Sequence, residues 1–163
     1  MASWSDVVFA APEVAGAVQA RFDATGLGLL ATLRRDGAPR ISGIEPLFAL
    51  GELWLGMMPE SLKGLDLLRD PRFALHCATI DKQVTEGDAK VAGRVIAIDV
   101  DDDATFSAMR EAFAAQNGAP PPPGPFHLFR ADVTEISVLR PAGDHLDIDV
   151  WREGGQVERI ERF

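Results

Sequence analysis

The chain has 163 residues, of which 47% are hydrophobic and 25% charged, a composition typical of one folded domain over residues 1–163. Its formal net charge of −9 argues against nucleic acid as a partner, because that binding depends on basic side chains meeting phosphates. Cys77 is the lone cysteine, which excludes an internal disulfide. The first residues lack the basic and apolar regions of a secretory signal, and no apolar stretch predicts a membrane helix. We therefore expect a cytoplasmic protein.

The first half of the chain predicts one helix and then three strands. Apolar residues repeat at helical spacing after Pro12, and Asp36-Gly37 is the strongest kind of short hairpin signal. A second turn is expected at Gly51-Glu52. The predicted elements are a helix over residues 11–24 and strands over residues 27–33, 39–50 and 53–58, and we expect the three strands to form a meander.

The second half begins with a short helix that Ser61 caps and that ends before Pro71. Its buried side is expected to carry Leu62, Leu65 and either Leu67 or Leu68. The later elements are separated by a polar loop and by a proline run at residues 120–123. One of them is a helix, whose acidic start lies at residues 101–103. These elements are strands over residues 72–79, 89–100, 126–139, 145–151 and 157–161, and a helix that ends near residue 117. In the strand over residues 89–100, Lys90 and Arg94 share one face, and Val91, Gly93, Val95 and Ala97 share the other.

About eight strands with two sizeable helices favour a mainly β (α+β) fold, an antiparallel barrel with peripheral helices. A parallel α/β fold would need a helix between most strands. It is also disfavoured because Gly26-Leu27-Gly28 leads into a strand and not into the helix that a dinucleotide-binding turn requires.

A candidate anion site lies where the strand ending at Met58 gives way to the helix that begins after Ser61. A helix start presents unpaired backbone N–H groups and the positive end of the helix dipole. Ser61 can donate its hydroxyl to a phosphate, and Lys63 can supply a full positive charge. The alternative interpretation is that Ser61 only caps the helix and Lys63 is solvated.

Arg40 and Ser42 lie two residues apart on one strand, so they share a face and could line one groove. A two-residue hairpin loop would set Arg40 opposite Leu33, and a three-residue loop would set it opposite Thr32. The sequence leaves this register open. It also leaves open that Arg40 lies on the solvent face of the strand.

The histidines and the cysteine predict neither thiol catalysis nor a metal site. His76 and Cys77 are neighbours on a strand and are expected to point to opposite faces, which separates a nucleophile from its base. The alternating apolar residues Phe73 and Leu75 indicate that Cys77 packs inside. His127 and His145 lack carboxylates at ligand spacing.

Taken in order, these pieces resemble a known family. The stretch Gly28-Leu-Leu-Ala-Thr-Leu-Arg-Arg-Asp-Gly-Ala-Pro-Arg-Ile-Ser42, followed by Ser61-Leu-Lys63 and Arg69-Asp-Pro-Arg72, is similar to the FMN-binding split barrel of the pyridoxamine 5′-phosphate oxidase-like superfamily. The likeness is strongest to the branch that includes F420-dependent reductases. It implies a split β-barrel, a homodimer and two cofactor sites at the subunit interface.

The resemblance also implies roles for particular residues. Arg40 and Ser42 would lie along the flavin ring and its ribityl chain, Met57 and Met58 would border the ring, and Lys63 would contact the phosphate. Lys90 would approach the cofactor from the partner subunit. Two departures matter: Ser61 stands where related reductases often carry a second basic residue, and the terminal Arg-x-His motif is absent, which argues against oxidation of vitamin B6.

Two functions follow from the resemblance. The first is an oxidoreductase that uses FMN, or F420 as the alternative cofactor, to move hydride to or from a small organic substrate. The second is a non-catalytic homodimer that binds a flavin, haem or a related planar ligand. The sequence assigns no catalytic residue and no substrate.

Overall fold

A computed structural model describes residues 1–99, 103–121 and 124–163. In these residues the chain forms four helices and nine strands. The helices are α1 (Trp4–Ala10), α2 (Pro12–Asp23), α3 (Leu62–Arg69) and α4 (Asp103–Asn117). The strands are β1 (Gly28–Leu33), β2 (Pro39–Ile44), β3 (Leu47–Ala49), β4 (Glu52–Met57), β5 (Arg72–Cys77), β6 (Asp88–Ile98), β7 (His127–Ala142), β8 (His145–Arg152) and β9 (Glu158–Arg162).

All nine strands join one antiparallel sheet in the order β2-β1-β5-β6-β7-β4-β3, with β8 and β9 added beyond β7. The two predicted hairpin pairings are present, since β1 pairs with β2 and β3 pairs with β4. They do not form one continuous meander, because β2 and β3 lie at opposite ends of the sheet path. The predicted strand over residues 39–50 is divided at Glu45-Pro46, because proline has no N–H to donate to a ladder and so ends the pairing.

The two ends of the sheet path, β2 and β3, are not hydrogen-bonded to each other in the described part of the chain. The sheet is therefore an open, mainly antiparallel one, and β2 approaches β4 across the gap. None of the helices in the described ranges is long and apolar enough to cross a membrane.

The main core lies between the sheet and the helices α1 and α2. Phe22, Leu30, Leu55 and Phe129 are almost completely buried there. Helix α1 was not predicted, although its signal is present: Ser3 and Asp6 form a reciprocal capping box at its start. A second cluster, including Leu47, Trp54, Met109 and Leu128, packs beneath α4.

Helix α3 begins as predicted, with the Ser61 side chain accepting a hydrogen bond from the Gly64 N–H. The predicted buried face is mostly wrong, because Leu67 is buried but Leu62, Leu65 and Leu68 are exposed. The helix instead turns its Asp66 side toward β1 and β2, where that carboxylate is bound by other side chains.

Strand β6 follows the predicted alternation as far as Val95, with Lys90 and Arg94 exposed and Val91 and Val95 buried, whereas Ala97 near its end is exposed against the prediction. A bulge opposite Ala92 and Gly93, where Thr134 is the extra residue of β7, shifts the register between the two strands. Glycine is required at this bulge, because a Cβ at Gly93 would lie 2.0 Å from the Asp132 carbonyl oxygen. The predicted helix cap at residues 101–102 and the prolines at 122–123 lie outside the described residues.

Candidate functional site

The structure brings most of the predicted site residues together where β2, the end of β4 and the start of α3 meet. We call this place the β2–α3 junction, formed by Arg40, Ser42, Met57, Ser61 and Lys63. The clearest link is a hydrogen bond of 2.6 Å that the Lys63 Nζ donates to the Gly43 carbonyl oxygen of β2. Residues predicted from two separate segments of sequence are therefore neighbours in the fold.

Lys63 is held close to the protein surface at this junction. Burial lowers the pKa of its ammonium group, and the neighbouring Glu45 carboxylate acts in the opposite direction. The hydrogen-bond acceptor of this ammonium group is a neutral carbonyl, and a phosphate in its place would make the hydrogen bond charge-assisted on both sides.

Ser61 occupies the N-cap of α3 as predicted. Its Oγ accepts from the Gly64 N–H at 3.3 Å, and a hydroxyl that accepts such a bond still carries a proton to donate. The cap role and an anion-binding role are therefore compatible.

Arg40 lies opposite Thr32, which settles the register in favour of the longer hairpin loop. It shares a half-buried face with Ser42, while Ile41 between them is exposed. Arg40 is not on the solvent face, since its Nε donates to the Asp66 Oδ2 at 2.7 Å. The contact of Arg40 with a flavin stays a prediction, and the structure gives this side chain a second role in joining β2 to α3.

Asp66 is the buried centre of a network that fixes α3 against the sheet. Thr32 Oγ1 donates to its Oδ2 at 2.9 Å, and Arg69 donates to its Oδ1 at 3.0 Å and also to the Leu33 carbonyl. Burial by itself would raise the pKa of the Asp66 carboxyl, but the hydrogen bonds from Arg40, Arg69 and Thr32 bring it below its ordinary value. Asp66 therefore positions the start of α3 as a charged carboxylate.

His127 was not predicted to belong to this site, yet it lies directly beside it. It pairs with Met57 across β4 and β7, and a Cβ at Gly64 would come within 2.7 Å of its ring. The His127 Nε2 is buried and has no hydrogen-bond partner among the described residues. An unpaired buried ring nitrogen is costly, which marks this corner as a place that a ligand could complete.

An apolar cavity of about 420 Å³ adjoins the junction beneath α4. Buried Met57 and exposed Met58 both line it. Its other apolar side chains are Leu47, Trp54, Met109, Phe113, Phe126 and Leu128, and its charged lining residue is Glu45. A cavity of this size and polarity suits a planar organic group.

Lys90 is not brought to the β2–α3 junction. It is exposed on β6, in register with His76 on one side and Ser137 on the other. Strands β5 and β1 lie between β6 and β2, which corresponds to a separation of about 14 Å at the usual strand spacing. Its predicted contact with a cofactor would have to come from the other subunit of a dimer.

Cys77 is buried, as predicted for a packing residue, and burial raises the pKa of its thiol. His76 is half-buried, so the two neighbours do differ in exposure. Their reactive atoms nevertheless lie within 4.8 Å of each other, because the His76 ring folds back and its Nδ1 lies 2.6 Å from the Cys77 carbonyl oxygen. The expected separation by strand faces therefore does not hold at the tips of the side chains.

The family model for pyridoxamine 5′-phosphate oxidase matches residues 14–140, and the chain belongs to this family. The match covers both strands of the hairpin, the β2–α3 junction and β6. Among curated proteins none matches this chain.

Three solved structures show the same fold at low sequence identity. A pyridoxamine 5′-phosphate oxidase-related, FMN-binding protein from Nostoc punctiforme has a TM-score of 0.65 and 17% identity, over 93% of this chain and 94% of that one. PhzG from Burkholderia lata, solved with tetrahydrophenazine-1-carboxylic acid, has a TM-score of 0.64 and 15% identity, over 95% and 90%. The haem-binding protein from Mycobacterium smegmatis has a TM-score of 0.62 and 22% identity. This match covers 83% of the present chain but only 57% of the length of that protein. These likenesses confirm the predicted split-barrel fold.

Proposed function

We propose that this chain is an oxidoreductase that binds FMN, or F420 in its place, at the β2–α3 junction and transfers hydride to or from a small organic substrate. The observation that carries the proposal is the position of Lys63 and Ser61. Both lie at the start of α3, beside Gly43 of β2 and next to an apolar cavity. A phosphorylated ring compound needs this combination of a cationic end and an apolar end.

The residues present fit such a cofactor. Lys63 and Ser61 would hold the phosphate, while Met57, Met58 and the cavity beneath α4 would accept a ring. The unpaired His127 Nε2 supports this fit, because it leaves a polar atom at the junction without a partner in the described chain. The Asp66 network holds α3 and β2 at a fixed distance, so the phosphate contacts would be preorganised.

When bound, the flavin supplies the hydride chemistry itself. The chain's own contribution would be to hold the phosphate, to orient the ring and to exclude water from the cavity. The apolar lining indicates a substrate with a largely apolar, planar body. The structure of PhzG with a tricyclic carboxylic acid supports a substrate of that shape in this fold.

A second candidate function is non-catalytic binding of a flavin or haem. The apolar cavity favours it, and so does the similarity to the haem-binding protein of Mycobacterium smegmatis. In this case the junction would bind a ligand without turning over a substrate.

The absorbance of the purified protein distinguishes the two functions. The protein is incubated separately with FMN, F420 and haem and is then separated from unbound ligand. We expect it to retain FMN or F420, and we expect the retained cofactor to be reduced and reoxidised by hydride donors and acceptors. Retention of haem alone, or of a flavin that no donor reduces, would favour the binding function.

The same proposal includes a homodimer. Strands β1, β2 and β5 expose a groove on the face opposite Arg40 and Ser42. Its apolar lining is Leu29, Ala31, Ile41, Ala74 and Leu75, and His76 and Thr79 are its polar lining residues. Leu29 is 48% exposed and Ile41 is 72% exposed. Contiguous apolar side chains on a sheet face are typical of a surface that another subunit covers.

Replacing Ile41 with aspartate is expected to dissociate this dimer. A charge placed in an apolar interface loses its solvation without gaining a partner, whereas in the monomer this position is open to water. Light scattering at about 10 µM should report a dimer for the wild type and a monomer for Ile41→Asp. Phe9→Asp is the matched control, because Phe9 is 92% exposed on α1. A wild-type monomer, or an unchanged dimer in Ile41→Asp, would contradict this interface.

A further inference from the structure

Three potential metal ligands converge at the end of β5 and the start of β6, away from the β2–α3 junction. A ring nitrogen of His76, the Sγ of Cys77 and a carboxylate oxygen of Asp88 all lie within 4.8 Å of one another. The Cys77 Sγ is 3.7 Å from the Asp88 Oδ1, and the His76 Nε2 is 3.8 Å from the Asp88 Oδ2. Thiolate, imidazole and carboxylate are together the ligand types that zinc prefers.

These spacings are close to those of a bound metal. Zinc binds sulfur at about 2.3 Å and nitrogen or oxygen at about 2.0–2.1 Å, so tetrahedral ligand atoms are separated by roughly 3.3–3.6 Å. The Cys77–Asp88 and His76–Asp88 ligand atoms are 3.7 Å and 3.8 Å apart, and no pair of ligand atoms in the cluster is more than 4.8 Å apart. The ligand atoms therefore need to approach one another by about one ångström or less. Side-chain rotations of that size require no movement of the paired strands.

Each of the three side chains is also oriented by a further hydrogen bond. The His76 Nδ1 contacts the Cys77 carbonyl oxygen at 2.6 Å, which leaves the Nε2 lone pair directed away from the backbone. Thr79 Oγ1 donates to both oxygens of Asp88, and the Ala89 N–H donates to the Cys77 Sγ at 3.2 Å. Metal-binding histidines and carboxylates are held in this way in known sites.

The charges around the cluster do not prevent a cation from binding. Arg21, a partly buried cation close to the cluster, is paired with the Glu86 carboxylate at 3.8 Å. Lys90 is exposed across from His76. Asp81, Glu86 and Asp88 line a small cavity of about 10 Å³ beside the cluster, and Arg21 also lines it, so three carboxylates surround that one cation.

We propose that His76, Cys77 and Asp88 form a binding site for a thiolate-preferring divalent metal of the zinc class, with water as the fourth ligand. Binding breaks the Cys77 S–H bond, forms a sulfur–metal bond and releases one proton to solvent. The site joins β5 to β6 and does not depend on flavin binding.

Cobalt(II) is the probe, because it enters zinc sites and a cobalt–thiolate bond gives a sulfur-to-metal charge-transfer band in the near ultraviolet. The reduced, purified protein is titrated with cobalt(II) and then with zinc. We expect the band to saturate at one cobalt per chain and to disappear when zinc is added. Cys77→Ala should abolish the band, while His76→Gln and Asp88→Asn should weaken cobalt binding at least tenfold.

His145→Gln is the matched control. It removes the histidine of a second cluster, with Asp147 and Glu161, that contains no thiol. The band should be unchanged in this variant. Because His76 is half-exposed, His76→Gln keeps the test valid even if Cys77→Ala fails to fold. No band in the folded, reduced wild type, or equally tight binding by His76→Gln and Asp88→Asn, would overturn the proposal.

Discussion

Replacing Lys63 with alanine is expected to weaken FMN binding about tenfold to a hundredfold. The change removes a charge-assisted hydrogen bond to the phosphate, and losing such a contact costs roughly 1.5–3 kcal/mol. The Lys63 ammonium contacts the Gly43 carbonyl oxygen at the protein surface, so its loss should have little effect on folding. A fluorescence titration of the bound flavin measures the effect.

Riboflavin is the control ligand because it lacks the phosphate. Its affinity should change much less in Lys63→Ala, so the ratio of the two affinities isolates the phosphate contact from general damage. Lys63→Arg should keep part of the binding because the charge remains. If FMN and riboflavin weaken equally, or if neither weakens, Lys63 is a solvated helix residue and the phosphate lies elsewhere.

The second large effect is expected from Asp66→Asn, which should lower the free energy of unfolding by about 3 kcal/mol. Removing one partner of a buried ion pair leaves the remaining charge without compensation, at a cost of about 3–5 kcal/mol. The lower end applies here because the Arg40 and Arg69 side chains are 21% and 35% exposed. Urea unfolding followed by circular dichroism measures the difference.

Asp70→Asn is the matched control, since it makes the same change four residues away in a more exposed pair with Arg72, where the Asp70 side chain is 26% exposed and that of Asp66 is 5% exposed. Exposed pairs contribute about 0–1 kcal/mol, so this variant should unfold nearly as the wild type does. If the free energy of unfolding falls equally in the two variants, or does not fall in Asp66→Asn, Asp66 does not hold α3 in place.

The pH dependence of stability gives a separate readout of the same network. The pKa of Asp66 is lower in the folded chain than its ordinary value, so the folded state favours the ionised form. Its contribution is therefore fully present above the ordinary pKa, at a pH of about 4, and is lost as the pH falls through the folded pKa. Asp66→Asn should show a weaker acid dependence than the wild type.

Local signals in the sequence were sufficient for much of the fold and of the candidate site. The Asp36-Gly37 hairpin, the Ser61 cap and the end of α3 before Pro71 all depend on residues a few positions apart. The backbone conformations that these residues favour act within single turns, so neighbouring residues predict them. The grouping of Ser61 and Lys63 at one helix start follows from the same local physics.

The contacts that depend on distant parts of the chain were not predictable. The continuous meander fails because β2 and β3 lie at opposite ends of the sheet path, and nothing near β4 indicates that its second partner is β7. His127 joins the site only through this pairing, so no local pattern identifies it. The buried face of α3 was predicted wrongly for a related reason. Asp66 is buried through its hydrogen bonds to Arg40 and Thr32, and the spacing of leucines along the helix does not reveal these bonds.

The central claim is that the β2–α3 junction binds a phosphorylated flavin, and calorimetric titration of the wild-type protein with FMN and with riboflavin tests it most directly. We expect one FMN per chain, bound at least tenfold more tightly than riboflavin, because only FMN can use Lys63 and the start of α3. Absence of saturable binding of FMN and, titrated in the same way, of F420, or equal affinities for FMN and riboflavin, would contradict this account of the site.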